Sequence, residues 1–167
     1  MKSKMMIGMS LLIIFAMISN ASACGYHIPH SVDSGYNMHW GGSVNSSFIN
    51  ELNAGINTWN ALGKVNISKD TALTLQDITI TYVNTYDPNE PTTPGVYNSN
   101  RNYIYFYKPV LDTFTYSERV KTATHELGHA LGIGELSAFS GNIMKPGKSS
   151  QTYLGSKDKE VYNCLWR

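Results

Sequence analysis

Neither sign of charge predominates in this chain. Thirteen Lys and Arg stand against twelve Asp and Glu over 167 residues, a formal net charge of +1, and only 15% of residues are charged. A strongly basic nucleic-acid binder is thereby excluded, as is an acidic disordered tail. Internal repeats and low-complexity tracts are absent, and cysteine is scarce, with only Cys24 and Cys164. Beyond Ile18 no hydrophobic run is long enough to span a bilayer. What the chain does have is 42% hydrophobic residues and eleven Tyr, a composition that argues against disorder. The length suits one domain, which would bury about two-thirds of the surface its unfolded chain exposes.

Residues 1–23 read as a secretory signal. Lys2 and Lys4 form a positive start, Met5 to Ile18 is apolar and uncharged, and Ala21-Ser22-Ala23 is a small-residue cleavage site. A transmembrane helix is one alternative, although the run is short for it. A lipoprotein signal is another, because Cys24 would be the first mature residue, but Ala21 stands where that pattern wants Leu. Residues 24–167 are then a single exported domain, expected to be monomeric and free of the membrane unless Cys24 is lipidated. Export permits a disulfide. Pairing of Cys24 with Cys164 is the expectation, and two unpaired thiols are the alternative.

Along the exported part, Tyr36 to Trp40 alternates as a first strand, with Gly41-Gly42 as its end. Phe48, Leu52, Ile56 and Trp59 fall on one face of a helix over 46–62, with Ser47 as its cap and Gly63 as its stop. The segment from Asp77 to Val83 alternates as a strand, and residues 84–100, with three Pro and many Asn and Thr, read as a loop. Tyr103 to Tyr107 is a strand with Tyr103, Tyr105 and Tyr107 on one face. Thr115 and Glu118 form a capping box for a helix that runs to about Gly132, and 156–166 is a final helix. Helices and strands in this order make an α+β fold, a mixed sheet with helices on it.

One segment outweighs the rest: Thr124-His125-Glu126-Leu127-Gly128-His129-Ala130-Leu131-Gly132. Its core is H-E-x-x-H on a predicted helix. Histidines four apart project from one helix face, and imidazole nitrogen is a good zinc ligand. Glu126 cannot easily bind the same ion but can reach a water on it and act as general base, then general acid. With five His and six Glu in the chain, the pattern arises by chance in about 0.5% of such sequences.

His125-Glu126-x-x-His129-x-x-Gly132, followed by Ile143-Met144, resembles the metzincin zinc peptidases, and the wording HELGHALGI with Met144-Lys145-Pro146 is most similar to the matrixin branch. The specific part of the resemblance lies in 122–146, and the element order extends it over most of 36–166. It implies a mostly parallel twisted sheet with an antiparallel edge strand, two long helices on it and a C-terminal helix. It implies that Gly132 turns the chain so that a third zinc ligand follows three residues later, and that Met144 sits in a tight turn beneath the metal. That third position is Glu135, where the family usually has His or Asp. Glu is a legitimate zinc ligand whose negative charge should weaken the metal's Lewis acidity. The resemblance also likens the Tyr103–Tyr107 segment to the edge strand beside the cleft, whose free edge would hold an extended peptide.

Several family features are missing. No long pro-region precedes the domain, and Cys24-Gly25 is similar to a fragment of a cysteine switch with flanking residues that differ. Pro146 stands where two other branches carry a Tyr. The structural zinc and calcium segment is lacking, and a calcium site at Asp87 and Glu90 is conceivable but unsupported. Other candidates for the third ligand are Glu160, 31 residues after His129, and His27, His30 or His39. The expected activity is that of a secreted zinc endopeptidase acting on an extended peptide or protein. The alternatives are a non-catalytic zinc-binding module and a zinc hydrolase of a non-protein amide.

Overall fold

The alternating segments form strands, and the strands share one sheet. The computed structural model describes residues 24–167; the expected signal at 1–23 lies outside them. β1 (Asn37–Ser43), β2 (Asn66–Lys69), β3 (Ile78–Val83), β4 (Gly95–Asn98) and β5 (Tyr103–Tyr107) are ordered β2-β1-β3-β5-β4. Three pairings, β1 with β2, β1 with β3 and β3 with β5, are parallel. β4 closes the sheet antiparallel to β5. This is the α+β arrangement, mixed and mostly parallel with an antiparallel edge, that the metzincin resemblance implies.

The period-2 pattern decides which face is covered. Ile78, Ile80, Ile104 and Phe106 are buried in one core cluster. Against them pack Phe48, Leu52, Ile56 and Trp59, on or next to α1 (Ile49–Asn60), and Ala123, Leu127 and Ala130 of α3 (Tyr116–Ala130). The two helices approach closely where Gly55 meets Thr124, since a Cβ on Gly55 would lie 3.0 Å from Thr124 N. Trp59 Nε1 donates to Thr124 O at 2.8 Å beside that contact. Tyr103 and Tyr105 stack at 4.2 Å between ring centroids on the opposite face. The last helix, α4 (Ser156–Leu165), docks through Tyr162, which stacks on Trp59 and accepts from Val65 N at 2.8 Å. A single turn, α2 (Lys108–Leu111), links β5 to α3.

Four expectations need correction. β1 does not end at Gly41-Gly42 but runs through them, because a Cβ on Gly42 would lie 2.3 Å from Ile80 O and only glycine lets β3 pair this closely. The helix over 46–62 is shorter, and Ser47 is not its cap; instead Asn45 Oδ1 accepts from Ser47 N and Asn45 O from Ile49 N. Residues 84–100 contain a strand, β4. Tyr103–Tyr107 is not the edge, since β3 and β4 flank it on both sides; β4 is.

Cys24 and Cys164 form a disulfide that ties the start of the described chain to α4. Its sulfur is therefore committed, which removes both a lipid on Cys24 and a thiol switch. Among the described residues no helix is long and apolar enough to cross a membrane. The bond closes a loop of sequence separation 140, so reduction should cost up to about 5 kcal/mol in the chain-entropy model and lower the unfolding midpoint by about 10–20 °C. Calorimetry with and without reductant checks this; equal midpoints would show that the crosslink constrains little.

Candidate metal centre and cleft

The capping box that sequence predicts is present: Thr115 Oγ1 accepts from Glu118 N, and Glu118 Oε2 accepts from Thr115 N at 2.7 Å. This fixes the start of α3, and the 3.6 period then sets where its later turns point. His125 and His129 project together, with ring centroids 4.6 Å apart and planes at 84°. The helix ends at Ala130, and Gly132, at φ +89°, reverses the chain in the left-handed region. The returning strand of chain brings Glu135 Oε1 to 3.4 Å from both His125 Nε2 and His129 Nε2.

The outward nitrogens are fixed too. His125 Nδ1 lies 2.8 Å from Ile143 O, and His129 Nδ1 lies 2.8 Å from Ile133 O. A carbonyl only accepts, so each Nδ1 carries the hydrogen and each neutral ring leaves Nε2 with a bare lone pair. In the neutral form of both rings, two nitrogen lone pairs and a carboxylate oxygen converge on one point. That is a donor set for a cation. Burial pushes the Glu135 carboxyl up, but the hydrogen bonds and charge that His125 and His129 offer when protonated outweigh it and hold it well below the usual carboxylate range. Burial lowers His129, yet Glu135 and Glu126 together hold it above the ordinary imidazole value.

Glu126 is buried and lines a cavity of about 480 Å³ together with His125, His129 and Glu135. The roof of this cavity is Gly95, Val96 and Tyr97 of β4. A Cβ on Gly95 would lie 3.1 Å from Glu126 Cγ, so glycine there is what lets the edge strand pass over the carboxylate. Met144 is fully buried under α3, with Sδ 2.3 Å from where a Cβ on Gly128 would be. Gly128 immediately precedes His129, so this methionine packs against the turn of α3 that carries the second histidine.

The other candidate ligands are elsewhere. His30 packs edge-on against Trp166 at 4.8 Å, and His27 bridges to Ile133 through its backbone. His39 Nδ1 pairs with Asp77 at 3.2 Å and, with Asp33, makes a second possible metal-ligating group remote from α3. Glu160 is exposed and pairs with Lys157 at 2.6 Å. Asp87 accepts from Asn89 N, Glu90 N and the Tyr107 hydroxyl, and Glu90 accepts from the Thr93 hydroxyl.

Two supporting residues escape a reading of the sequence. Asp158 is fully buried and accepts from Ile143 N at 2.7 Å, Met144 N at 3.1 Å and Gly155 N at 2.8 Å. It therefore holds the turn whose Ile143 carbonyl orients His125. Lys121, one turn before His125, is buried with Nζ donating to Lys145 O at 2.9 Å. Burial lowers its pKa, while Glu126, Glu135 and Asp158 oppose that. The signal for Asp158 was its place in the first turn of a helix, which is shared by many solvated carboxylates. Replacing Asp158 with Asn removes the charge and one acceptor from three buried N–H groups, so about 2–4 kcal/mol of stability should be lost. Denaturant unfolding of Asp158→Asn measures this, and a loss under 0.5 kcal/mol would mean the turn holds itself.

No family model matches this chain, and no curated protein matches it in sequence. Among solved structures its fold is similar to that of myroilysin, with a TM-score of 0.52 and 13% identity, over 84% of this chain and 95% of that one.

Proposed function

We propose that the protein is a secreted zinc-dependent endopeptidase of matrixin-like type, in which His125, His129 and Glu135 hold one zinc ion. The observation that carries this reading is the convergence of two Nε2 lone pairs and Glu135 Oε1, each imidazole turned by a backbone carbonyl behind it. Two imidazoles and one carboxylate are a donor set that catalytic zinc takes, with a fourth position left for water or substrate. Bound there, zinc would supply Lewis acidity and bring the pKa of a water towards ~7.

The chain's own groups do the rest. Glu126 accepts a proton from the attacking water at its carboxylate and delivers it to the nitrogen of the leaving amine. The cavity roof is the open edge of β4, whose backbone can pair with an extended peptide and hold its scissile carbonyl over the donor set. The role expected for Tyr103–Tyr107 thus passes to Gly95–Asn98. The disulfide supports export, since such bonds persist in oxidising compartments, and residues 1–23 would be the signal that directs it. A non-catalytic zinc module has no use for Glu126 beside an open cleft.

Two measurements test this. The zinc-loaded 24–167 protein should cut a mixed peptide library internally, and Glu126→Ala should lose about 10²-fold or more of that activity while keeping its zinc. Silence from both proteins with zinc bound would favour the non-catalytic module or a non-peptide amide. By metal analysis, Glu135→Ala should lose zinc and Glu160→Ala should keep it; the reverse would overturn the ligand set.

A further inference from the structure

The cavity continues past the donor set into a recess walled by Phe114, Lys121, Thr122, Pro146, Gly147 and Lys148. Its two lysines differ. Lys148 Nζ sits 3.4 Å from Glu118 Oε2 and 4.3 Å from the Phe114 ring centroid, so its charge is already partnered. Lys121 is 5% exposed, and its ammonium has three hydrogens to place. Lys145 O takes one. His125 Nδ1, 3.4 Å away, cannot take another, because it is itself the donor to Ile143 O. Among the described residues no carboxylate forms an ion pair with Lys121. The acidic groups around it are otherwise engaged: Asp158 with three backbone N–H groups, Glu135 with the two histidines. Glu126, which also lines the cavity, acts on Lys121 through its charge without an ion pair between them, and Glu90, the third acidic side chain of the lining, comes from the loop before β4 and is held by Thr93.

A desolvated cation with spare donors, in the wall of a cleft, is a site for an anion. We propose that Lys121 is a specificity-determining residue that selects substrates with an Asp or Glu side chain seated in this recess. The inference rests on the peptidase reading above and names the substrate class that reading leaves open.

The test uses the zinc-loaded 24–167 protein and paired peptides, all with amidated C-termini, that differ only by Glu against Gln or Asp against Asn at each position. At one position relative to the cut, the carboxylate should be favoured about tenfold or more. Lys121→Met should bring that ratio to within about twofold, and Lys121→Arg should retain it; the ratio, and not the rate, is the readout. Should Lys121→Met fail to fold, Lys121→Gln keeps a donor for Lys145 O and carries the same comparison. Cleavage by the parent protein without discrimination, or equal discrimination by the uncharged variant, overturns this inference and leaves the peptidase reading standing. Silence of the parent protein on every peptide overturns both.

Discussion

Two backbone carbonyls decide what the histidines can do. Ile133 O and Ile143 O each take the Nδ1 hydrogen of one imidazole at 2.8 Å. Without them the rings would choose tautomer and rotamer freely, and the Nε2 lone pairs would not face a common point. The carbonyls come from different places. Ile133 O lies just beyond the reversal at Gly132, four residues after His129. Ile143 O lies in the turn after it and is held from below by Asp158. The donor set is therefore only as good as the path of the chain between Ala130 and Met144.

That path is held from several directions. Ile28 N and Ser31 N donate to Gly132 O and Ala130 O at 2.9 and 2.8 Å, so the N-terminal segment runs along the end of α3 like an added strap. The disulfide fixes the start of that strap to α4, and α4 carries Asp158. Leu136 N donates to Met144 O at 2.8 Å and closes the loop on itself. Met144 fills the space under Gly128. Together these contacts hold the segment that supplies the Ile133 and Ile143 carbonyls behind His129 and His125, the kind of supporting contact that tunes a metal site.

Much of this was legible in the sequence because it is local. The H-E-x-x-H spacing, the Thr115–Glu118 box and the Gly132 break all act within one helix and its end, where period and capping determine geometry. β3, β5, α3 and α4 were legible for the same reason. β2 and β4 were not. Each has four residues, too few for alternation to stand out, and β4 follows a Pro-rich stretch that reads as loop. β4 is a strand because β5 offers it a ladder, which is a tertiary fact. The same holds for Gly42, whose place as a strand stop or strand interior depends on how closely β3 approaches. Glu135 was legible as a position but not as a contact, since four residues after the helix end must fold back to bring it to the histidines.

The departure at Glu135 is easier to understand once the charges around it are counted together. Glu126, Glu135 and Asp158 are the carboxylates that act on Lys121, the one ammonium among them. In their neutral form, with Nδ1 as the donor, the two imidazoles add no charge. Together these side chains carry a formal excess of two negative charges beside the two imidazoles. A divalent cation brings the sum to zero. A third histidine at position 135 would leave the group one charge positive instead. As a ligand, Glu135 would lower the Lewis acidity of a bound metal relative to three imidazoles, and the Lys121 ammonium, 3.4 Å from His125 Nδ1, would act in the opposite sense through that ring. On the proposed ligand set Glu135 and Lys121 would be one adjustment made at two positions, the lysine offsetting at a distance the charge that the glutamate would place on the metal.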